Sequence, residues 1–243
     1  MLLLLAGTTE ARELARRLAA RKLPAIATLA GATRAPERLD LPTVVGGFGG
    51  RAGFESFLER HRVSAIVDAT HPFATAITRR TARIAARRRL PYLHLLRPEW
   101  KPQAGDNWIM VADETGVARH VRPGWTLFLA TGRQSLPAFS GLESCYLICR
   151  RIDRPRAAFP YANGEYLVGR APFSVEEEIA LFRARRVDAL VVRNAGGTGS
   201  FPKLAAARRL GLPVIMIARQ PLPEGIAHVA SVEAAMRWIE AQQ

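Results

Sequence analysis

The sequence predicts an α/β protein of two lobes, each a mainly parallel β-sheet with helices on both faces. Three observations predict it. Short continuous apolar runs recur along the chain, each ends in a turn rich in glycine or threonine, and most such turns lead into apolar residues at helical spacing. Continuous apolar strands are buried on both faces, and strands alternating with helices wind a parallel sheet. With 243 residues, 49% hydrophobic and 23% charged, the chain can bury a sizeable core and gives no compositional case for disorder.

Leu2 to Ala6 reads as a buried strand, closed by Gly7-Thr8-Thr9-Glu10 and followed by Ala11, Leu14, Ala15 and Leu18 on one helix face. Ala25 to Leu29 is a second strand and Thr43 to Val45 a short third. Gly46-Gly47-Phe48-Gly49-Gly50 then leads into a helix carrying Phe54, Phe57 and Leu58. Ala65 to Asp68 is a strand ending in Ala69-Thr70-His71-Pro72, with Pro72 suited to a first helical turn. Leu90 to Leu96 closes this series. Arg97 to Asp106, with Pro98, Pro102 and Gly105, is the candidate boundary, which divides the chain into lobes 1–100 and 101–243. The second half repeats the rhythm: strands at 126–130, 144–149, 189–192 and 213–217, and helices from Ser174 to about Arg185, near Leu204 to Leu210, and from Val232. That last helix is free to pack back on the N-terminal lobe. No sequence repeat relates the two halves.

Thirty-five basic residues against 21 acidic ones give a net charge of +14, which raises nucleic acid, a membrane surface or a small polyanion as partners. Only Lys22, Lys101 and Lys203 are lysines, an arginine bias that codon composition can produce. Arg79, Arg80, Arg83, Arg87, Arg88 and Arg89 read as a solvated helix face. With no RNA-binding motif, zinc knuckle or aromatic-basic interleaving, neither nucleic acid nor membrane is expected as a partner. The apolar run Met1 to Ala6 is far below the roughly 18 residues of a membrane span and lacks a basic leader, so a cytoplasmic location is expected. Cys145 and Cys149 lie in one extended stretch, about 13 Å apart and beyond disulfide reach, and are expected to be inert core thiols. The histidines and cysteines show no metal-ligand spacing, and no metal site is expected.

Ligands of open α/β sheets bind beyond the carboxyl ends of the strands. Gly7-Thr8-Thr9 offers an anion site at a helix N-terminus, or an ordinary turn with threonine as N-cap. Neither G-x-G-x-x-G nor the Walker pattern occurs, so a nucleotide site would be atypical. Thr33 and Arg34, with no acid before Glu37, favour NADP over NAD should a dinucleotide bind in that lobe; the alternative is a plain surface loop. Asp68-Ala69-Thr70-His71 sets a carboxylate, a hydroxyl and an imidazole at one strand end, which points to ligand contact. In the second half, Arg193-Asn194-Ala195-Gly196-Gly197-Thr198-Gly199 follows a buried strand, with Lys203 nearby as a point charge.

Taken together these turns resemble one family, the precorrin-6A and cobalt-precorrin-6A reductases of cobalamin biosynthesis. The matching strings are Ala6 to Arg12, Gly46 to Gly50, Asp68 to Ala74, Arg97-Pro98-Glu99-Trp100, Gly169-Arg170-Ala171-Pro172-Phe173-Ser174, and Arg193 to Lys203, in order over essentially the whole chain. The resemblance implies two flavodoxin-like or Rossmann-like lobes with the ligand cleft between them, and an NADPH-dependent oxidoreductase that reduces one C=C bond of precorrin-6A to give precorrin-6B. The implied partner is an anionic macrocyclic tetrapyrrole, whose carboxylates suit arginines. Other enzymes of the pathway are further candidate partners, and a monomer or weak oligomer is expected. On this reading Gly7, Thr8 and Thr9, the turn Thr131-Gly132-Arg133, and Asn194, Gly196 and Gly197 hold cofactor phosphates and the nicotinamide amide, with Thr33 and Arg34 at the 2′-phosphate. Asp68, Thr70, His71, Arg170, Arg193 and Lys203 contact the macrocycle, and the proton comes from His71, Tyr161, Tyr166 or water. Two departures stand out: Ala6 replaces the family's first glycine, and Arg193 replaces a lysine, which puts an acid role there in doubt because arginine stays protonated. The alternatives are a reductase of another conjugated ligand, and a non-catalytic polyanion or nucleic-acid binding module.

Overall fold

The computed structural model describes residues 1–31, 38–155 and 157–242. They form two compact units, Met1–Pro98 with Gln220–Gln243, and Glu99–Arg219. The first unit begins with β1 (Leu2–Ala6), α1 (Thr9–Ala20), β2 (Ala25–Leu29), β3 (Thr43–Val45), α2 (Arg51–Arg60), β4 (Ala65–Ala69), α3 (Thr75–Arg88) and β5 (Tyr92–Leu95). β1 is buried along its whole length because alternate side chains enter two different cores. Leu2 and Leu4 pack with Leu14 and Leu18 of α1, whereas Leu3 and Leu5 pack with Phe54 and Leu58 of α2 and Ile84 of α3. A strand apolar on both faces is the sequence signature read above, and here it is the centre of the sheet.

The second unit contains β6 (Trp108–Val111), β7 (Thr126–Leu129), β8 (Tyr146–Arg151), β9 (Gly164–Val168), α4 (Val175–Ala184), β10 (Ala189–Arg193), α5 (Phe201–Leu210) and β11 (Val214–Ile217), with 3-10 segments at Glu114–His120 and Arg133–Phe139. Phe128, Ile148, Leu190 and Val192 of its sheet pack with Phe182 of α4 and with Leu204 and Ala207 of α5. Ser174 starts α4 with a capping box, its hydroxyl accepting from the Glu177 amide while the Glu177 carboxylate accepts from the Ser174 amide.

The chain then supplies β12 (His228–Val229) and α6 (Val232–Glu240) to the first unit. β12 pairs with β5, and Ala235, Met236 and Ile239 join the core that holds α1. Residues 220–242, drawn with the second lobe in the division at residue 100, therefore fold with the first. The cause is the apolar face of α6, which completes a core already half built by β1 and α1.

Every strand pair in both sheets is parallel. The strand orders are β12-β5-β4-β1-β2-β3 and β6-β11-β10-β7-β8-β9. Each is a doubly wound sheet in which the chain leaves its central strand, β1 or β7, first toward one edge and then toward the other. The switch points lie between β1 and β4 and between β7 and β10, where such folds place their ligands. β6, β9 and β12, which the apolar runs do not announce, lie at or beside sheet edges.

Candidate functional site

In the first unit the turn after β1 abuts the turn after β4. A Cβ on Gly7 would lie 3.6 Å from both the His71 amide nitrogen and the Thr70 Cα, ordinary contact distance for two packed turns. Thr8 is the N-cap of α1: its hydroxyl accepts from the Ala11 amide at 3.1 Å and donates to the Ala69 carbonyl at 3.0 Å. That hydroxyl is engaged in both directions, so what Thr8 offers an anion is its backbone. Thr9 accepts from Arg12, and Glu10 in the first turn is paired with Arg97 at 2.8 Å.

Asp68 is fully buried. One carboxylate oxygen accepts from the Thr70 amide at 3.0 Å and the Thr70 hydroxyl at 2.6 Å; the other accepts from the Thr78 hydroxyl and the Tyr92 phenol, both at 2.8 Å. Burial, then the adjacent Asp68 charge, pushes the Tyr92 phenol far above its ordinary pKa, which keeps it a donor. The sequence placed Asp68 and Thr70 in contact with substrate. In the structure both side chains are buried, and their mutual hydrogen bonds brace the turn. Outside the brace stands His71, exposed, with Nδ1 accepting from the Phe73 amide at 3.2 Å. In the neutral ring that bond puts the proton on Nε2.

In the second unit the turn after β7 holds buried Thr131, whose hydroxyl is 2.6 Å from that of Ser135, and Gly132 at φ +79°, a conformation that favours glycine. The turn after β10 is pinned from several sides. Asn194 accepts from the Trp100 amide at 2.9 Å and donates to the Trp100 carbonyl at 3.1 Å; the Trp100 indole donates to the Gly197 carbonyl at 2.7 Å; Arg219 donates to the Asn194 carbonyl at 2.6 Å. The Asn194 side chain is thus a clamp that holds the turn carrying Gly196 and Gly197 against Trp100. Trp100 is the functional support that sequence reasoning missed: its string was noted, but nothing local says that its indole reaches residue 197.

Arg193, expected at the macrocycle, donates twice to one Glu114 oxygen at 2.6 and 2.8 Å. Lys203 is buried in the first turn of α5, donates to the Ser200 carbonyl at 3.1 Å, and is pushed down to about 8 by burial, a shift that Glu178 opposes. Lys203, expected to contact the macrocycle as a point charge, thus lies buried at the start of α5. Glu178 is itself held by Arg150 through two bonds of 2.6 and 2.7 Å, and the Arg150 guanidinium lies 4.7 Å from the Phe128 ring and 4.2 Å from that of Phe173. This stack anchors the 169–174 segment, where Arg170 is exposed, with Asp153 3.8 Å away.

Arg133, Tyr161 and Tyr166 line one open depression together with Leu136, Pro137, Ser140 and Pro160. The Tyr161 hydroxyl donates to the Leu136 carbonyl at 2.6 Å, so as a proton source it must first give up that bond. Thr33 and Arg34 lie outside the described residues. Cys145 and Cys149 are free and buried, and burial raises the Cys149 thiol to about 11. Among the described residues no group of three or more His, Cys, Asp or Glu side chains is placed to hold a metal ion, and no helix is long and apolar enough to cross a membrane.

Fold and turns define a class of protein built from two doubly wound parallel α/β units, each with a glycine-bearing turn at its switch point. Comparison with known proteins narrows the class. The family model described as Precorrin-6x reductase CbiJ/CobK matches residues 1–240, and the chain belongs to that family. It is 44% identical to a precorrin-6A reductase of Rhodococcus erythropolis, over 98% of this chain and 96% of that one. It is 30% identical to a cobalt-precorrin-6A reductase of Priestia megaterium, over 94% of each. A solved structure of CobK precorrin-6A reductase matches with a TM-score of 0.94 at 38% identity, covering 99% of this chain and 96% of that one.

Proposed function

We propose that this protein is an NADPH-dependent reductase that adds a hydride and a proton across one C=C bond of precorrin-6A, giving precorrin-6B, in cobalamin biosynthesis. The observation that carries the reading is similarity to a precorrin-6A reductase at 44% identity over nearly the whole of both chains. The lower identity to the cobalt-precorrin-6A reductase, 30%, favours the metal-free macrocycle as substrate. Two switch points with glycine-bearing turns fit a dinucleotide, and the excess of arginine fits a polycarboxylate macrocycle.

When bound, NADPH supplies the hydride from its nicotinamide ring. The chain's task is to hold donor and acceptor in near-attack geometry and to provide or admit the proton. Backbone amides of Gly7, Thr8 and Thr9 at the start of α1, of Thr131 to Arg133, and of Gly196 and Gly197 bind phosphate and nicotinamide amide. Asn194 acts through the last of these turns by fixing its backbone, and Asp68 holds the β4 turn that carries His71. His71, exposed at the end of the β4 turn, is a candidate proton source; to act as the acid it must be the imidazolium, so that Nδ1 gives up the bond it accepts from the Phe73 amide. Exposed Arg170 meets a macrocycle carboxylate at low cost, whereas Arg193 would have to exchange Glu114 for one. Anaerobic turnover of precorrin-6A and cobalt-precorrin-6A, each with NADPH or NADH, tests the reading. Turnover of the metal-free substrate with NADPH is expected, and NADPH binding without turnover of either macrocycle would move the protein to another conjugated substrate.

A further inference from the structure

The chain passes from the first unit to the second after Pro98 and returns after Arg219. Both passages are fastened to the turn that follows β10. Trp100, two residues past the first, exchanges two hydrogen bonds with the Asn194 side chain and sends a third from its indole to the Gly197 carbonyl. Arg219, the last residue before the second, has a side chain only 7% exposed; it donates to the Asn194 carbonyl at 2.6 Å and lies 3.7 Å from Glu99.

The turn has little of its own to hold it. It runs Ala195-Gly196-Gly197-Thr198-Gly199, with Gly196 and Gly197 at φ +66° and +77°, a conformation that favours glycine. Glycine loses more conformational freedom on ordering than any other residue, so the geometry of such a run is set by what grips it from outside. Asn194 grips its start, the Trp100 indole its middle, and Lys203, which donates to the Ser200 carbonyl, its end. The middle grip is one hydrogen bond from a ring that packs against the core shared by β10 and α5. The hydrophobic core thus aims the donor, and the donor fixes the turn.

We propose that Trp100 is a positioning residue for the reduction: by holding the Gly197 carbonyl it sets the backbone of the β10 turn against the reacting ligands. This rests on the reductase reading above. A turn displaced by about an ångström still binds but misaligns hydride donor and acceptor, so the loss falls on the transfer step. The test is Trp100→Phe, which keeps a packed ring and removes only the indole donor, with Asn194→Ala as a second variant that frees the start of the turn. Full-length protein saturated with NADPH is mixed rapidly and anaerobically with precorrin-6A. The first turnover gives a rate constant for NADPH oxidation and an amplitude that counts competent protein. Trp100→Phe and Asn194→Ala are each expected to lower the rate constant by about ten- to a hundred-fold with the amplitude retained. NADPH affinity should fall in Trp100→Phe by no more than about ten-fold, as for one neutral hydrogen bond. Val187→Ala, which opens a cavity in the same core before the start of β10, should melt lower at the wild-type rate constant. A wild-type rate constant in Trp100→Phe, with any loss confined to amplitude or melting temperature, would overturn the proposal, as would an equal fall in Val187→Ala. Wild-type protein that binds NADPH but leaves precorrin-6A unreduced would overturn the reductase reading, and the proposal with it.

Discussion

Tyr92→Phe removes a single oxygen from the brace beneath His71. The Tyr92 phenol donates at 2.8 Å to a carboxylate with no solvent exposure, and the oxygen it serves keeps only Thr78 as a side-chain donor once the phenol is gone. A hydrogen bond to a charged group contributes about 1.5–3 kcal/mol, and at full burial the upper part of that range applies. For a chain of this length each kcal/mol moves the melting temperature by about 2–4 °C, so the variant should melt roughly 4–12 °C lower. Thermal unfolding followed by circular dichroism reads this directly. Asp68→Asn alone and combined with Tyr92→Phe completes a double-mutant cycle, with a coupling of about 1 kcal/mol or more expected between groups in one network. An unchanged melting temperature, or strictly additive effects, would refute the claim that Asp68 is held by the phenol rather than merely lying near it.

Gly164→Ala should be far more damaging, because the added Cβ would lie 2.3 Å from the Phe159 ring and 2.6 Å from the Leu147 carbonyl; poor soluble yield or a melting temperature lower by more than about 6 °C is expected, and a fully stable variant would contradict the packing. Lys203→Met tests the buried ammonium. A lysine whose folded pKa, about 8, is below its unfolded 10.5 binds fewer protons when folded, so its contribution to stability rises as pH increases from about 8 to 10.5. Chemical denaturation across that window should show this rise in the wild type relative to Lys203→Met, and parallel curves would contradict the burial. His71→Ala should lower kcat by roughly 100-fold or more if the imidazole delivers the proton, with NADPH affinity little changed, and a loss of only a few-fold would assign the proton to water or Tyr166.

Much of this architecture was legible in the sequence, and where it was not the reasons are specific. β1, β4, β7 and β10 announce themselves because a central parallel strand is apolar on both faces. β9 does not: at a sheet edge Gly164-Glu165-Tyr166-Leu167-Val168 needs no continuous apolar run, and its side chains are only partly buried. β12 is two residues long and exists because β5 offers a free edge to pair with. The equivalence of the two sheets is a matter of strand order, which topology preserves and side-chain identity does not.

The candidate site divides in the same way. Turn positions follow from strand ends, so Gly7, His71, Gly132 and Gly196 could be named in advance. What a side chain does there depends on distant partners: Asp68 lies beside a threonine and a histidine in sequence, yet its fate is set by Thr78 and Tyr92. Asn194 is likewise claimed by Trp100, 94 residues away. Period-two alternation did hold one unused signal, since it turns Arg150 toward buried Glu178 and Arg151 to the other face, over the Tyr166 ring.

The most direct test of the reductase reading is the mass of the product formed from precorrin-6A under anaerobic conditions with NADPH deuterated on the transferring face of the nicotinamide. A product heavier by one deuterium and one solvent-derived hydrogen is expected, formed with NADPH and far more slowly with NADH. Recovery of unchanged precorrin-6A, or a product carrying no deuterium from the cofactor, would contradict hydride transfer by this protein.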